Sequence, residues 1–319
     1  MPKILLVKTS SLGDVIHALP AVSDVHARFP DASVDWVVEA PFAAIPALHR
    51  GVGRVIPVAV RRWRGRLLQH ETWREMRAFA AGLRAQRYDA VIDLQGLVKS
   101  ALIVRMAQGP RMGYDRRSAR EPVAALAYDR TYPVPRTLHA VERNRQLTGH
   151  CLGYTPAGEP DYGLYPSPHD LPWLAAPRYA VLLHSTSRDD KLWPEADWIA
   201  LGRWLQTCGL VCVLPWGSAR EQARAQRLAA QLGTAVRVAP PLPLDALAAL
   251  CAGAALTVGV DTGLTHLAAA VGCPTLALFC RSDPGLTGVY AGAHALNLGD
   301  AGAPPSFEAV RQAAQDRMR

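Results

Sequence analysis

Two polar turns in the second half of the chain contain residue types that suit phosphate. The turn 185–191 follows a short apolar run and contains three hydroxyl side chains and Lys191. The turn Asp261-Thr262-Gly263 lies between a β-branched apolar run and an Ala- and Leu-rich segment. Hydroxyls and an ammonium bind phosphate oxygens, and a helix that starts behind a strand adds free N–H groups and the positive pole of its dipole. The sequence therefore predicts an anion site here, although each turn alone is equally typical of a capped or solvated loop.

The first half of the chain has one carboxylate in a comparable position. Asp14 closes a loop rich in hydroxyls, Thr9–Gly13, and lies at or next to the start of a helix, where an ionised carboxylate is favoured. It is either an N-cap or, if a substrate hydroxyl lies beside it, a general base. His17 is interpreted as structural. Glu221 follows a turn after another strand and could bind ribose hydroxyls or simply lie on a helix surface.

Strands and helices alternate along the whole chain and would position these residues. Strands are predicted at Lys3–Lys8, Val34–Glu39, Arg54–Val58, Asp89–Leu94, Tyr179–His184, Leu210–Leu214, Val236–Val238, Leu256–Val260 and Thr275–Phe279. Two successive βα series predict an α/β fold with two doubly wound sheets facing a cleft. The expected domains are 1–160 and 178–305, with a Pro- and Gly-rich linker at 161–177 and a final helix at 306–319. Between the third and fourth strands, residues 61–66 are predicted to form a basic loop.

Composition restricts the compartment and the partners. Residues 1–160 contain 23 Lys and Arg against 14 Asp and Glu, a net charge of +9, whereas residues 161–319 contain 12 against 13. The first half is therefore expected to meet an acidic partner: nucleic acid, an anionic membrane surface or a phosphorylated substrate. We find no membrane-spanning run and no signal peptide, and the six cysteines form no metal-binding spacing. A cytoplasmic protein with reduced thiols is expected.

Several function classes lose support because their motifs are missing. The chain has no GxGxxG after a strand and no GxxxxGK[ST], which disfavours a nicotinamide oxidoreductase and an NTPase. It also has no Asp-x-Asp triplet to hold a divalent metal against a diphosphate, so protein cations and helix dipoles would have to stabilise a leaving diphosphate. The basic residues flank a single Trp63 rather than an aromatic platform, which disfavours a nucleic-acid-binding protein.

Six segments, taken together and in order, resemble the ADP-heptose:lipopolysaccharide heptosyltransferases of glycosyltransferase family 9. They are Lys8–His17, Arg61–Arg64, Gln95–Ser100, His184–Lys191, Pro215–Gly217 and Asp261–His266. The resemblance implies a GT-B fold and an inverting transfer, without metal or cofactor, of L-glycero-D-manno-heptose from ADP-heptose to the Kdo residue of Kdo2-lipid A. A sibling type that uses heptosylated core as acceptor remains an alternative. The family pattern has Thr where this chain has Ser187 and Ser where it has Thr265, so both positions keep a hydroxyl.

The resemblance also implies a role for individual residues. Asp14 would be the general base, and Glu221 would bind the ribose. The diphosphate would be held by Thr186, Ser187, Lys191, Asp261, Thr262, Gly263 and His266. The acceptor's phosphates and carboxylates would meet Arg61, Arg62, Arg64, Lys99 and Arg120. The three arginines 61, 62 and 64 would also draw the protein to the cytoplasmic face of the anionic inner membrane, unless they are only a solvated charge run.

Overall fold

The computed structural model describes residues 1–174, 176 and 178–318, which fall into two compact units, Met1–Gly163 and Leu164–Arg319. Residues 175 and 177 of the predicted linker and residue 319 of the predicted last segment lie outside the described residues. Among the residues described, no helix is both long and apolar enough to cross a membrane.

The first unit contains one six-stranded parallel sheet. Its strands are β1 (Lys3–Val7), β2 (Ser33–Glu39), β3 (Val52–Val58), β4 (Ala90–Asp93), β5 (Arg111–Tyr114) and β6 (Arg130–Tyr132). Its helices are α1 (Leu12–Ile16), α2 (Leu19–Arg28), α3 (Ala44–Ala47), α4 (Val60–Arg64), α5 (His70–Arg84), α6 (Val98–Val104) and α7 (Ala140–Leu152), with 3-10 turns at Ala40–Phe42 and Pro122–Ala127. The spatial order is β3-β2-β1-β4-β5-β6. The central strand β1 is apolar and buried on both faces, which is the pattern of a strand covered by helices on each side.

The second unit repeats this architecture. Its strands are β7 (Tyr179–Leu183), β8 (Val211–Leu214), β9 (Val236–Val238), β10 (Leu256–Val260), β11 (Thr275–Phe279) and β12 (Ala295–Gly299). Its helices are α8 (Glu195–Thr207), α9 (Ala219–Leu232), α10 (Leu244–Ala252), α11 (Gly263–Ala270), α12 (Pro284–Thr287) and α13 (Phe307–Arg317), with 3-10 turns at Asp189–Lys191 and Gly292–His294. The spatial order is β12-β11-β10-β7-β8-β9. Counted from each unit's first strand, the two sheets therefore have the same doubly wound order.

Each sheet has a point where the direction of winding reverses. It lies between β1 and β4 in the first unit and between β7 and β10 in the second, and both pairs are parallel neighbours. The loops that leave the carboxyl ends of these two strands diverge and leave a crevice, which is where ligands bind in such sheets. The segments that follow these four strands are the ones in which the sequence predicted Asp14, Lys99, Lys191 and Asp261.

The structure confirms the α/β class and the two doubly wound sheets but corrects the predicted basic loop. Residues 60–64 form the short helix α4 because Trp63 is buried and packs edge-to-face on Phe79, with 5.7 Å between ring centroids. The indole N–H of Trp63 also donates to Glu75 at 2.8 Å. The arginines 61, 62 and 64 therefore project from a fixed turn of helix.

The segment predicted as a linker also contributes to the second unit. Leu174 is buried in a core cluster formed by β7, β8 and α10, and Leu171 and Trp173 pack against that cluster. At the end of the chain, Val310 and Ala314 of α13 are buried in a second core cluster of this unit.

We expect Arg145→Ala to lower the free energy of unfolding by about 3 kcal/mol, because it would remove a buried guanidinium and leave two partly buried carboxylates unpaired. The Arg145 side chain is 3% exposed and forms two hydrogen bonds to Asp24, at 2.8 and 3.0 Å, and one to Glu142 at 3.0 Å. It also donates to the carbonyls of Ala157 and Gly158. Urea denaturation measures the change. Exposed Arg84 is the matched control, and its change to Ala should cost less than about 0.5 kcal/mol.

Candidate active site

The loop after β1 is held in place by one side chain from the other half of the first sheet. The amide oxygen of Gln95 accepts the N–H groups of Thr9 and Ser10, at 2.9 and 3.2 Å, and its NH₂ group donates to the Ser10 carbonyl at 2.6 Å. Gln95 follows β4, so the strand pair at the reversal point fixes the loop that leads to Asp14. The carboxylate is thus presented by a rigid backbone, as a reacting group requires.

Asp14 is the N3 residue of α1 and accepts hydrogen bonds on both carboxylate oxygens. One oxygen receives the backbone N–H and the hydroxyl of Ser11, at 2.8 and 3.0 Å, and the other receives the Arg120 guanidinium at 2.6 Å. The side chain of Asp14 remains 17% exposed. Burial raises its pKa, but the charges of Lys8 and Arg120 outweigh that effect and bring the pKa to about 2. Asp14 is therefore ionised at neutral pH and open to a ligand.

Three cations surround a small cavity beside Asp14, and sequence reasoning identified only Arg120 among them. Lys8 is buried and donates to the Leu94 carbonyl at 2.7 Å, and burial lowers the pKa of its ammonium to about 8. The guanidinium of Arg143 stacks on the Tyr114 ring at 4.8 Å, and its buried Nε has no hydrogen-bond partner among the residues that the structure describes. The cavity is lined by Lys8, Arg120, Arg143, Asn144, Gln95, Tyr114, Leu94 and Ala140. So many positive charges in one place favour an anion.

The predicted acceptor residues of the first unit have different surroundings. Lys99 reaches the site loop, since its ammonium donates to the Ser10 hydroxyl at 2.7 Å, and burial lowers its pKa. Arg61 lies over the Phe42 ring at 5.7 Å. Arg62 instead forms an ion pair with Glu75 at 2.6 Å. Arg64 is exposed. Lys99, Arg61 and Arg64 are therefore better placed than Arg62 to meet an acidic ligand.

In the second unit, the turns after β7 and β10 are joined through Asp261. The ammonium of Lys191 donates to its carboxylate at 2.5 Å, Ser282 donates its hydroxyl to the same oxygen, and His266 Nε2 lies 3.7 Å from the other oxygen. Burial raises the pKa of Asp261, but the hydrogen bonds from His266, Lys191 and Ser282 outweigh it and lower the pKa well below its usual range. Thr186 completes the connection with a 3.0 Å hydrogen bond to the Asp261 carbonyl. Asp261 is therefore ionised at neutral pH.

Helix α11 begins close to β10 at this point. Thr262 is its N-cap, but the Thr262 side chain makes no hydrogen bond to the first turn of the helix. The hydroxyl of Thr265 donates to the Val260 carbonyl at 2.7 Å and occupies the space next to Gly259, where a Cβ would lie 2.2 Å from the Thr265 oxygen. A side chain at position 259 would push the helix start away from the strand. The positive end of the α11 dipole is thus set beside Lys191 and Asp261.

A cavity of about 370 Å³ lies next to these turns, between the β7 loop and helix α9. It is lined by Ser185, Thr186, Ser187, Asp189, Leu192, Ser218, Arg220, Glu221, Ala223, Arg224 and Arg227. Glu221 lines this cavity. Its carboxylate also accepts a hydrogen bond from the Gly217 N–H at 2.7 Å, just before the start of α9. The arginines of α9 were not singled out from the sequence, although their spacing at 220, 224 and 227 places them on one helix face.

Comparison with known proteins identifies the family. Residues 76–315 match the sequence pattern of glycosyltransferase family 9 (heptosyltransferase). The chain is 47% identical to lipopolysaccharide heptosyltransferase 1 of Escherichia coli (strain K12) over 292 residues, covering 90% of this chain and 91% of that protein. It is 51% identical to lipopolysaccharide heptosyltransferase 1 of Pseudomonas aeruginosa over 295 residues, covering 90% of this chain and 81% of that one. The chain belongs to glycosyltransferase family 9.

Solved structures agree with the family 9 assignment. Escherichia coli heptosyltransferase WaaC with ADP matches with a TM-score of 0.90 and 42% identity over 99% of both chains. A structure of WaaC with ADP-2-deoxy-2-fluoro heptose matches with a TM-score of 0.88 and 42% identity, over 98% of this chain and 99% of that one. The predicted GT-B class is therefore confirmed, and this family 9 chain is a glycosyltransferase of lipopolysaccharide core synthesis that transfers heptose.

Proposed function

We propose that this glycosyltransferase moves L-glycero-D-manno-heptose from ADP-heptose to the Kdo residue of Kdo2-lipid A, with inversion at the anomeric carbon and without a metal ion. The observation that carries the proposal is the division of charge between the two sheets. At equivalent reversal points the first presents an ionised carboxylate, Asp14, and the second presents an ammonium, Lys191, beside a helix start. A base and a cation for a departing diphosphate are the groups such a transfer needs.

The donor is proposed to bind to the second unit. Lys191, the hydroxyls of Thr186 and Ser187, and the first turn of α11 at Thr262 and Gly263 would stabilise the charge that develops on ADP as it leaves. Asp261 and His266 take part by holding Lys191 in place, since a carboxylate itself would repel the diphosphate. Glu221, which lines the neighbouring cavity, would accept the ribose hydroxyls. The solved structures of WaaC with ADP and with ADP-2-deoxy-2-fluoro heptose support this donor.

The acceptor hydroxyl is proposed to bind at Asp14. Its carboxylate would take the proton as the oxygen attacks the anomeric carbon in an oxocarbenium-like transition state, by analogy with glycoside hydrolysis. The O–C bond to heptose forms as the C–O bond to the ADP β-phosphate breaks, so a single displacement inverts the configuration. Arg120 donates a hydrogen bond to the Asp14 carboxylate and would be released to bind the acceptor.

The cations Lys8, Arg120 and Arg143 would bind the carboxylate of the acceptor sugar, for which the cavity between them, about 20 Å³, would have to widen. Charge-assisted hydrogen bonds from guanidinium groups to carboxylates are among the stronger ones in proteins, and the Nε of Arg143 has an unused proton. Lys99, Arg61, Arg62 and Arg64 would meet the acceptor's remaining anionic groups, with Arg62 required to leave Glu75 first.

The decisive experiment is to mix the purified protein with ADP-heptose and Kdo2-lipid A in the presence of EDTA. We expect heptosylated product, ADP release and an inverted anomeric configuration by NMR. Full activity that requires added magnesium would contradict the metal-free mechanism. Transfer only to heptosylated core would assign the sibling function, and no transfer to either acceptor would overturn the proposal.

We also propose that the protein works at the cytoplasmic face of the inner membrane, where this acceptor would be found. The triple variant Arg61→Ala/Arg62→Ala/Arg64→Ala should bind anionic vesicles at least about tenfold more weakly at low salt, because each basic residue near such a surface contributes about 1 kcal/mol. Sedimentation with phosphatidylglycerol-containing vesicles measures this. Binding should also weaken as salt rises. Equal binding of the wild type and the triple variant would remove these arginines from the proposal.

A further inference from the structure

The first unit contains a groove of about 560 Å³, and the proposed chemistry uses its cations Arg64 and Lys99 but not its apolar lining. It lies between α4, α5 and α6, and its apolar lining includes Trp63, Leu67, Phe79, Val98, Leu102 and Met106. Trp63 and Phe79 form its packed floor. The groove has the volume and the apolar lining for a hydrocarbon chain, whereas sugars and nucleotides need convergent polar groups.

Large apolar side chains stand exposed around the groove. Leu68 is fully exposed, and Leu67, Leu102 and Trp73 are 48%, 57% and 47% exposed. The Trp73 indole N–H donates to the Leu67 carbonyl at 2.8 Å and so fixes the turn that contains Leu67 and Leu68. Single exposed apolar residues are ordinary, but several beside one apolar groove indicate an interaction surface.

The rim of this groove is basic. Residues 60–77 contain six arginines and two glutamates, a net charge of +4. Arg64 and Lys99 line the groove itself, while its carboxylate, Glu121, is engaged by the Val98 N–H at 2.6 Å. An apolar groove with a basic rim is complementary to an amphiphile that has a hydrocarbon tail and an anionic head. A second copy of this chain fits poorly, because a symmetric contact would bring two such basic rims together.

We propose that this groove receives an acyl chain of an anionic bilayer lipid, so that Leu67, Leu68 and Leu102 enter the leaflet while the surrounding arginines contact lipid phosphates. The inference rests on the proposed function in that the acceptor is a membrane lipid, and it adds apolar insertion to the surface attraction proposed above. Because apolar contact does not depend on charge, part of the binding should persist at about 0.5 M salt, where surface attraction is screened.

The test uses vesicles of phosphatidylethanolamine and phosphatidylglycerol in which the phosphatidylglycerol acyl chains are brominated, because bromine quenches tryptophan on contact. We expect brominated chains to quench the wild-type fluorescence through Trp63, which lines the groove, so the quenched component should persist in Trp73→Phe and fall in Trp63→Phe. The variant Leu68→Ser/Leu102→Ser should bind the vesicles about tenfold or more weakly, as expected from the loss of two buried leucines. Leu286→Ser, which removes a 40% exposed leucine from the second unit, is the matched control and should bind like the wild type.

Several outcomes would overturn the inference. Vesicle binding without quenching would mean that the arginines hold the protein at the surface with the groove empty. Equal binding of the double leucine variant and the Leu286 control would exclude the groove. A wild type that is dimeric in solution, with a monomeric double variant, would assign the groove to a second copy. Heptose transfer to a deacylated, water-soluble acceptor separates the two proposals. The double leucine variant should retain this transfer, because the groove is not needed for it. If the wild type itself does not transfer heptose to this acceptor, the result contradicts the proposed function alone.

Discussion

Asp14→Ala is expected to lower kcat about a hundredfold or more while leaving the Kd for ADP-heptose nearly unchanged. The reason is that Asp14 would act only on the acceptor hydroxyl, and a general base typically contributes a factor of this size. Steady-state kinetics with saturating acceptor measures kcat, and calorimetry measures the donor Kd. Asp14→Asn should be nearly as slow, because it can still accept the Ser11 N–H but cannot take a proton.

Asp31 offers a control for this prediction. It is exposed and lies just before β2, at the opposite end of the strands from Asp14, so Asp31→Asn should keep kcat within about twofold. Because the pKa of Asp14 is about 2, the carboxylate stays ionised down to strongly acidic pH, and kcat/KM should show no acid limb from Asp14 between about pH 4 and 7. If donor affinity collapses in Asp14→Ala while turnover of the bound complex survives, Asp14 is a binding residue and the mechanism is wrong.

Lys191→Ala is expected to lower kcat/KM for ADP-heptose by about a hundredfold to a thousandfold. The substitution removes the cation proposed for the leaving diphosphate, and loss of one such group typically costs this much. It also leaves the buried carboxylate of Asp261, whose side chain is 11% exposed, without its ammonium partner and facing the bound anion. Steady-state kinetics with varied donor, and a donor Kd from calorimetry, measure the two effects.

A double variant separates loss of attraction from gain of repulsion. In Lys191→Ala/Asp261→Asn the repulsive charge is also gone, so donor affinity should recover by about tenfold relative to Lys191→Ala. Lys3→Ala, at the exposed start of β1, is the control and should bind the donor like the wild type. If Lys191→Ala binds ADP-heptose as tightly as the wild type and turns it over normally, the donor site lies elsewhere.

Much of the fold could be predicted from the sequence because its central strands are short apolar runs with clear ends. The bounds of β9, β10 and β11 agree with the predicted ones to the residue. The strands β5, β6 and β12 were not predicted. They contain residues such as Arg111, Arg130 and Asn297, and they lie outward from the central strands of their sheets, where the apolar pattern is weaker.

The candidate site was predictable where it lies close to a strand end and follows a recognisable turn, as for Asp14, Lys191 and Asp261. Lys8 and Arg143 were not identified, because their significance depends on distant contacts. Lys8 becomes a buried ammonium only through β4 and Asn144, which lies 136 residues further along the chain and 3.4 Å from it. Arg143 lies on a helix with no motif, and its orphaned Nε becomes evident only once Tyr114 packs on its guanidinium.

The three hydrogen bonds between the Gln95 side chain and the loop backbone restrict which sequences can evolve after the neighbouring strand β1. Its amide both accepts from and donates to the backbone of Thr9 and Ser10, so Glu, which cannot donate, and Met, which can do neither, are not equivalent. A randomised library of the loop before Asp14 is therefore expected to yield working clones only on a background that retains this amide, and the tolerance of one segment to mutation is decided 85 positions away.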